Sequence, residues 1–140
     1  VLRPTWVAFT PWTTLDDYHE MLSFVDDNDL IDQVDPIQFS IRLLVPPGSY
    51  LAEHPALLPH RGSLDETALT WTWTHPDPQM DHLQRDVVQL LEQDTAGDVD
   101  PATSFCRIHE LAHGRSPVGV VSGLPPDRQR APRLTESWFC

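Results

Sequence analysis

Several residue types are scarce or missing in this sequence of 140 residues. It contains no lysine, its nine basic residues are all arginine, and 21 acidic residues give a formal net charge of −12. Such a surface repels phosphate backbones, because proteins that bind nucleic acid neutralise phosphates with basic side chains. We therefore expect no nucleic-acid partner.

Cysteine and long apolar runs are equally scarce. The two cysteines, Cys106 and Cys140, are too few and too far apart for a disulfide framework or a cysteine-rich metal site. No apolar run reaches the roughly 18 residues that a membrane helix needs, and residues 1–12 lack the pattern of a signal peptide. We therefore expect a cytoplasmic chain with no membrane partner.

The first 25 residues predict a strand followed by a helix. Residues 5–10 are rich in β-branched and aromatic types and end at Pro11, which cannot continue a sheet ladder. Thr13 or Thr14 can then cap a helix that runs to about Val25 with an apolar stripe at helical spacing. Because the strand begins almost at the first residue, we expect a truncated N-terminus.

Residues 36–45 alternate in polarity, which predicts a second strand. One face carries Ile37, Phe39, Ile41, Leu43 and Val45, and the other carries Gln38, Ser40, Arg42 and Leu44. A strand, a helix and a strand in this order predict a βαβ unit with parallel strands and a right-handed crossover. One unit cannot bury both faces of its sheet, so the fold class is α/β with further strands expected elsewhere.

The rest of the chain predicts a helical extension and a tail. Residues 46–66 predict a loop with one short helix, and residues 67–74 predict a strand or an extended lid segment. Asp77 opens a helix through about Glu92, and Asp100 opens another that ends at Gly114. We therefore divide the chain into residues 1–50 (the βαβ part), 51–114 (the extension) and 115–140 (a Pro- and Arg-rich flexible tail).

The sequence His109-Glu110-Leu-Ala-His113 matches the HExxH motif, which places two imidazoles on one helix face to bind zinc beside a general base. A zinc peptidase also needs a third ligand, and the only carboxylates downstream, Asp127 and Glu136, lie in the tail. The simpler interpretation is an amphipathic helix with solvated or end-capping histidines. The zinc peptidase is retained as an alternative, together with a non-enzymatic acidic interaction module.

Two stretches resemble the late part of a radical S-adenosylmethionine (SAM) barrel. They are residues 5–18, TWVAFTPWTTLDDY, and residues 37–49, IQFSIRLLVPPGS. The final residues 132–140, PRLTESWFC, resemble the end of the CUAEP/CCAEP-tail radical SAM (seleno)proteins, in which selenocysteine or cysteine and then Ala-Glu-Pro follow. The resemblance covers nearly the whole chain, although only the turn motifs and the tail are specific.

The resemblance implies a partial parallel TIM-like barrel that belongs to a larger enzyme. That enzyme would hold a 4Fe-4S cluster on a CxxxCxxC motif and cleave SAM to a radical, but this sequence contains no such motif. The implied partners are the missing N-terminal part of the polypeptide and a small-molecule or peptide substrate, and the segment alone would bind no cofactor and be inactive. Thr10, Pro11, Val45 and Pro46 would lie near SAM or substrate, because ligands of such barrels sit at the C-terminal ends of strands.

Strand alternation within such a barrel would point Gln38, Ser40 and Arg42 into the lumen. An inward arginine needs a carboxylate, a phosphate or water. Arg42 is therefore a candidate contact for substrate or SAM, with a structural ion pair as the equal alternative. In this family a UGA codon for selenocysteine would come next, and a chain that ends at Cys140 is what reading UGA as a stop codon would produce. Cys140 would then neighbour a selenol and is a candidate redox residue of the tail, with an inert terminal cysteine as the alternative.

Overall fold

The computed structural model describes residues 4–130, which form a mixed α/β fold of three α-helices and one small sheet. The helices are α1 (Leu15–Asp27), α2 (Pro78–Ala96) and α3 (Pro101–Ala112), and the strands are β1 (Arg61–Asp65) and β2 (Thr70–Trp73). Three short 3₁₀ helices span Ile31–Gln33, Pro36–Phe39 and Tyr50–Glu53. Within residues 4–130, no helix is long and apolar enough to cross a membrane.

The starts of the three α-helices confirm the predicted caps. The Thr14 hydroxyl accepts a hydrogen bond from the Asp17 amide, and the Asp17 carboxylate accepts one from the Thr14 amide, which forms a capping box. Asp77 and Asp100 cap α2 and α3, each followed by a proline in the first turn. α1 and α3 end at Asp27 and Ala112, within two residues of the predicted positions, whereas α2 continues four residues beyond Glu92 to Ala96.

The predicted strand over residues 36–45 is wrong in its first half. The Asp35 carboxylate accepts a hydrogen bond from the Ile37 amide, and Pro36 supplies the fixed backbone angle of a first helical residue, so a 3₁₀ helix forms at Pro36–Phe39. Apolar Phe39 and polar Gln38 are both buried there. The expected alternation of faces is therefore absent from this segment.

The predicted strand over residues 5–10 is reduced to one parallel bridge between Phe9 and Arg42. The Phe9 amide donates to the Ile41 carbonyl at 3.0 Å, and the Leu43 amide donates to the Phe9 carbonyl at 2.8 Å. In the part of the chain that the structure describes, this bridge is the whole of the parallel pairing, and the strands of a parallel barrel are not formed.

The sheet instead pairs β1 and β2 in antiparallel orientation. The predicted loop over residues 46–66 is therefore wrong at Arg61–Asp65, where RGSLD lacks apolar alternation and forms a strand by pairing with β2. β2 was predicted within residues 67–74, but it begins only at Thr70. The Asp65 carboxylate accepts hydrogen bonds from the Thr67 and Ala68 amides, which makes that part of the chain a turn.

The core lies where the three α-helices meet the two segments that the Phe9–Arg42 bridge joins, residues 5–11 and 41–46, which we call the bridged segments. The Tyr18 side chain is fully buried against Phe9, with ring centroids 5.0 Å apart, and its hydroxyl donates to the Phe39 carbonyl at 2.8 Å. The ring of Phe39 in turn packs against Phe105 of α3, with centroids 5.4 Å apart. α1 thus covers the parallel bridge on one side, and α3 adjoins it through Phe39.

The chain after α3 runs back along this helix. The Arg107 guanidinium donates to the Gly119 carbonyl, and the Glu110 carboxylate accepts from the Gly119 amide. Farther on, the Val121 amide donates to the Thr103 hydroxyl. Three side chains of α3 therefore hold the beginning of the segment that was expected to be a flexible tail.

Candidate functional site

The residues predicted to lie near SAM or substrate lie on or beside the bridged segments, and each makes contacts of its own. Thr10 directly follows the bridge residue Phe9, and its hydroxyl accepts hydrogen bonds from the Trp12 and Thr13 amides in the turn that precedes α1. Pro11 is buried in that turn. The hydrogen bonds of this hydroxyl therefore hold the turn itself.

Arg42 takes part in an internal cluster of polar and aromatic groups. Its guanidinium donates to the Asp81 carboxylate of α2 at 2.7 Å and to the Trp73 carbonyl at 2.6 Å. The same carboxylate accepts a hydrogen bond from the His75 amide at 3.0 Å. The side chains of Arg42 and Asp81 are only 27% and 20% exposed, so most of this ion pair is removed from water. These contacts match the alternative of a structural ion pair.

Gln38 and Ser40 are both buried. The Ser40 hydroxyl donates to the Ile37 carbonyl at 2.8 Å, and the Gln84 side chain of α2 donates to the Ser40 carbonyl. Gln38 is 8% exposed, and its side-chain oxygen has no hydrogen-bond donor among residues 4–130. Gln38 therefore has an unused acceptor, whereas the hydroxyl of Ser40 is satisfied by its own turn.

Val45 and Pro46 meet the sheet. The buried Val45 donates its amide to the Thr70 hydroxyl, and its carbonyl accepts from the Trp71 amide, both at 2.8 Å. Pro46 follows in an exposed turn. β2 therefore covers the end of the second bridged segment, which limits access to Val45 from that side.

The HELAH motif forms part of a column of three histidines. The imidazoles of His109 and His113 stack with centroids 4.3 Å apart, and the imidazole of His19 from α1 stacks on His113 at 4.2 Å. Glu110 points away to the Gly119 amide. Stacked rings direct their nitrogens sideways and not toward one shared point. In the described range 4–130, no three His, Cys, Asp or Glu side chains are arranged to hold a metal ion.

Burial lowers the pKa of the His109 imidazole below its ordinary value of 6.5, and the nearby charges of His113 and Arg115 act in the same direction. The Asp26 carboxylate opposes them. The imidazole of His109 is therefore mostly neutral at pH 7.

A cleft of about 460 Å³ opens beside this column, and we call it the α1–α3 cleft. Its apolar wall is formed by Ile31, Ala102, Phe105, Val121 and Leu124. Its polar lining comprises Asp26, Asp29, Asp32, Cys106, His109 and Arg128. No local sequence pattern indicates this cleft, because its lining comes from three separate parts of the chain, residues 26–32, 102–109 and 121–128.

Cys140 lies outside the described residues. Cys106 is a half-buried free thiol, and it is the only cysteine between residues 4 and 130. An iron-sulfur cluster needs several thiolate ligands. The residues of this chain therefore do not fit the cluster that the family resemblance implies.

No family model matches the chain, and no curated protein or solved structure shows significant similarity to it.

Proposed function

We propose that this chain is the C-terminal part of a radical SAM enzyme and supplies a section of the barrel wall near SAM and substrate. The observation that carries the proposal is the parallel bridge between Phe9 and Arg42, with α1 as the connection between the two bridged segments. A parallel pair joined through a helix is the repeating unit of α/β barrels. The family resemblance of residues 5–18 and 37–49 supports the same proposal.

In this proposal the remaining strands and the cluster ligands come from polypeptide that precedes Val1. SAM and the 4Fe-4S cluster are then cofactors of the full-length protein, and the present segment alone holds neither. Thr10 and Pro11 end one bridged segment, and Val45 and Pro46 end the other, so these four residues face the ligand side of the barrel. Ligands of parallel barrels lie at such C-terminal ends.

The proposed role of Arg42 follows from its contacts. Because Asp81 and the Trp73 carbonyl already accept its hydrogen bonds, Arg42 attaches the extension to the barrel wall in this proposal. Gln38 is the better candidate for a contact with ligand or with the missing strands, since its side-chain oxygen lacks a donor in the described chain. A buried acceptor without a donor is costly, so a partner for it is expected in the complete protein.

The first test is the genomic sequence on both sides of this reading frame. An upstream CxxxCxxC motif in the same frame, together with UGA and then codons for Ala-Glu-Pro after Cys140, would support the proposal. A start codon at Val1 with no such motif upstream would refute it. Any other codons after Cys140 would refute only the proposed redox role of Cys140 and would leave the rest of the proposal standing.

The second test is biochemical. The complete reading frame, reconstituted with iron and sulfide without oxygen, should cleave SAM when a reductant is added, and the 140-residue chain treated in the same way should not. Replacing the upstream cysteines by alanine should abolish cleavage. The matched control is Cys106→Ala, which should retain cleavage, because Cys106 supplies no cluster ligand in this proposal. Equal SAM cleavage by the 140-residue chain would contradict the proposal.

A further inference from the structure

The α1–α3 cleft combines an apolar wall with a negatively charged rim. Phe105 and Ala102 of α3 are buried, and together with Val121 and Leu124 of the returning chain they line the cleft. A volume of about 460 Å³ is enough for a small organic molecule, since such sites span roughly 300–1,000 Å³. The apolar lining favours a ligand with an apolar body.

Two carboxylates at the end of α1 give the rim its charge. Asp26 and Asp29 are exposed, and neither carboxylate accepts a hydrogen bond from any group between residues 4 and 130. Both carboxylates therefore remain available to a ligand.

The basic groups that line the cleft do not neutralise the negative charge of the Asp26 and Asp29 carboxylates. The Arg128 guanidinium is bonded to both Asp32 and Asp100, so its charge is already balanced within the protein. The imidazole of His109 is mostly neutral at pH 7, because burial lowers its pKa. An anionic ligand would therefore meet net negative charge beside an apolar wall.

We propose that the α1–α3 cleft binds a small organic cation, in which an apolar body occupies the cleft and a protonated amine contacts Asp26 and Asp29. The apolar body would lie against Phe105 and Leu124. A bare metal ion is a poor fit, because no three His, Cys, Asp or Glu side chains between residues 4 and 130 are arranged to hold one. This inference does not depend on the SAM proposal, since it uses only contacts within the described chain.

The experiment is a titration of the full chain at pH 7.5 with three probes. Binding is monitored through the NMR signals of the cleft residues and by calorimetry. Phenethylammonium carries both the amine and the apolar body, 3-phenylpropionate has nearly the same size with the opposite charge, and ethylammonium has the charge without the ring. We expect phenethylammonium to bind with shifts at Phe105 and His109, and each of the other probes to bind at least ten-fold more weakly.

Variants of the rim test the role of the carboxylates. Asp26→Asn and Asp29→Asn should each weaken binding of phenethylammonium about two- to five-fold, the range expected for one exposed ion pair. The matched control is Asp16→Asn, an exposed aspartate at the other end of α1, which should bind the probe as the parent chain does. The far-UV circular dichroism of each variant verifies that it is folded.

Three results would overturn the inference. The first is no binding of phenethylammonium up to about 10 mM, because a dissociation constant above that concentration is weaker than that of most specific sites. The second is equal binding of 3-phenylpropionate. The third is unchanged affinity in a folded Asp26→Asn/Asp29→Asn double variant. If the double variant does not fold, Leu124→Ser tests the apolar wall instead, and unchanged affinity in that variant would equally overturn the inference.

Discussion

The guanidinium carbon of Arg42 lies 3.5 Å from the centroid of the Trp73 indole ring. The Trp73 ring nitrogen donates to the Leu43 carbonyl at 2.8 Å, and Arg42 is paired with Asp81 of α2. One arginine therefore joins the second bridged segment, β2 and α2 through stacking, a hydrogen bond and an ion pair. Stacking on an aromatic face together with a planar fork of donors is specific to arginine.

Loss of the Arg42 cluster should destabilise the protein measurably. We expect Arg42→Ala to lower the free energy of unfolding by about 2–3 kcal/mol, because it removes a partly buried ion pair and leaves the Asp81 carboxylate without its cation. Arg42→Lys should restore less than half of this loss, since an ammonium group cannot donate to both acceptors and stack on the indole. Urea denaturation followed by tryptophan fluorescence measures both values.

A double-mutant cycle separates the ion pair from the stacking. Arg42→Ala combined with Asp81→Asn should give a coupling energy of about 1 kcal/mol. The matched control is the pair of Arg61 and Glu53, in which Glu53 is 76% exposed, and its coupling energy should lie near zero. Equal coupling energies for the two pairs would contradict the interpretation that burial strengthens the first one.

The histidine column should make stability depend on pH. Because burial lowers the pKa of His109 in the folded state below its ordinary 6.5, the unfolded chain binds the proton more readily. The stabilising contribution of neutral His109 is present above pH 6.5 and is lost as the pH falls through the folded-state pKa. The groups facing the ring include His113, His19, Arg115 and Asp26.

The measurement is the urea midpoint between pH 7.5 and 5, together with the NMR titration of the His109 ring. We expect the urea midpoint to decrease as the pH is lowered below 6.5, and we expect this decrease to be smaller in His109→Gln. His60→Gln removes one imidazole outside the column and serves as the control. A titration of His109 above pH 6.5 would disprove the predicted direction.

Local capping chemistry explains which elements could be predicted from the sequence. Asp77 and Asp100 were recognised as caps followed by proline, and α2 and α3 begin there. The same Asp-Pro pair at Asp35 and Pro36 begins a 3₁₀ helix, but the alternating polarity of residues 36–45 favoured a strand. Alternating polarity forms a strand only where a neighbouring strand is available for pairing. Between residues 4 and 130, the one parallel partner of the segment 36–45 is Phe9, which bridges to Arg42.

The candidate sites depended on contacts between distant parts of the chain. HELAH was visible as a motif, but the stacking of His113 on His19 joins residues 94 positions apart, and no local pattern indicates it. The sequence predicts that Arg42 needs a carboxylate, a phosphate or water, and the identity of its partner as Asp81 depends on the packing of α2. The candidate residues could therefore be identified from the sequence, but the residues that they contact could not.

Zinc content tests the remaining metallopeptidase alternative. The zinc interpretation requires stoichiometric metal that is lost in His113→Ala. We expect less than one tenth of an equivalent in the purified chain, because His109 and His113 stack face to face and the Glu110 carboxylate is bonded to the Gly119 amide. Metal analysis after dialysis against buffer without chelator measures it. Stoichiometric zinc in the parent chain and none in His113→Ala would restore the peptidase hypothesis.

The carboxylate of Asp94 should be the most sensitive acidic position in α2. Asp94 is 3% exposed and accepts hydrogen bonds from the Ser104 hydroxyl at 2.8 Å and from the Arg107 guanidinium at 2.5 Å. Asp94→Asn removes the negative charge and leaves Arg107 partly buried without its counterion, which should lower the free energy of unfolding by about 3 kcal/mol. Asp86→Asn, an exposed change in the same helix, should stay within about 0.5 kcal/mol of the parent chain.

Because Arg107 also binds the Gly119 carbonyl, Asp94→Asn should loosen the returning chain, measured as faster amide exchange at Gly119 and Val121. A stability loss without faster exchange would mean that Asp94 joins α2 to α3 but does not hold the returning chain.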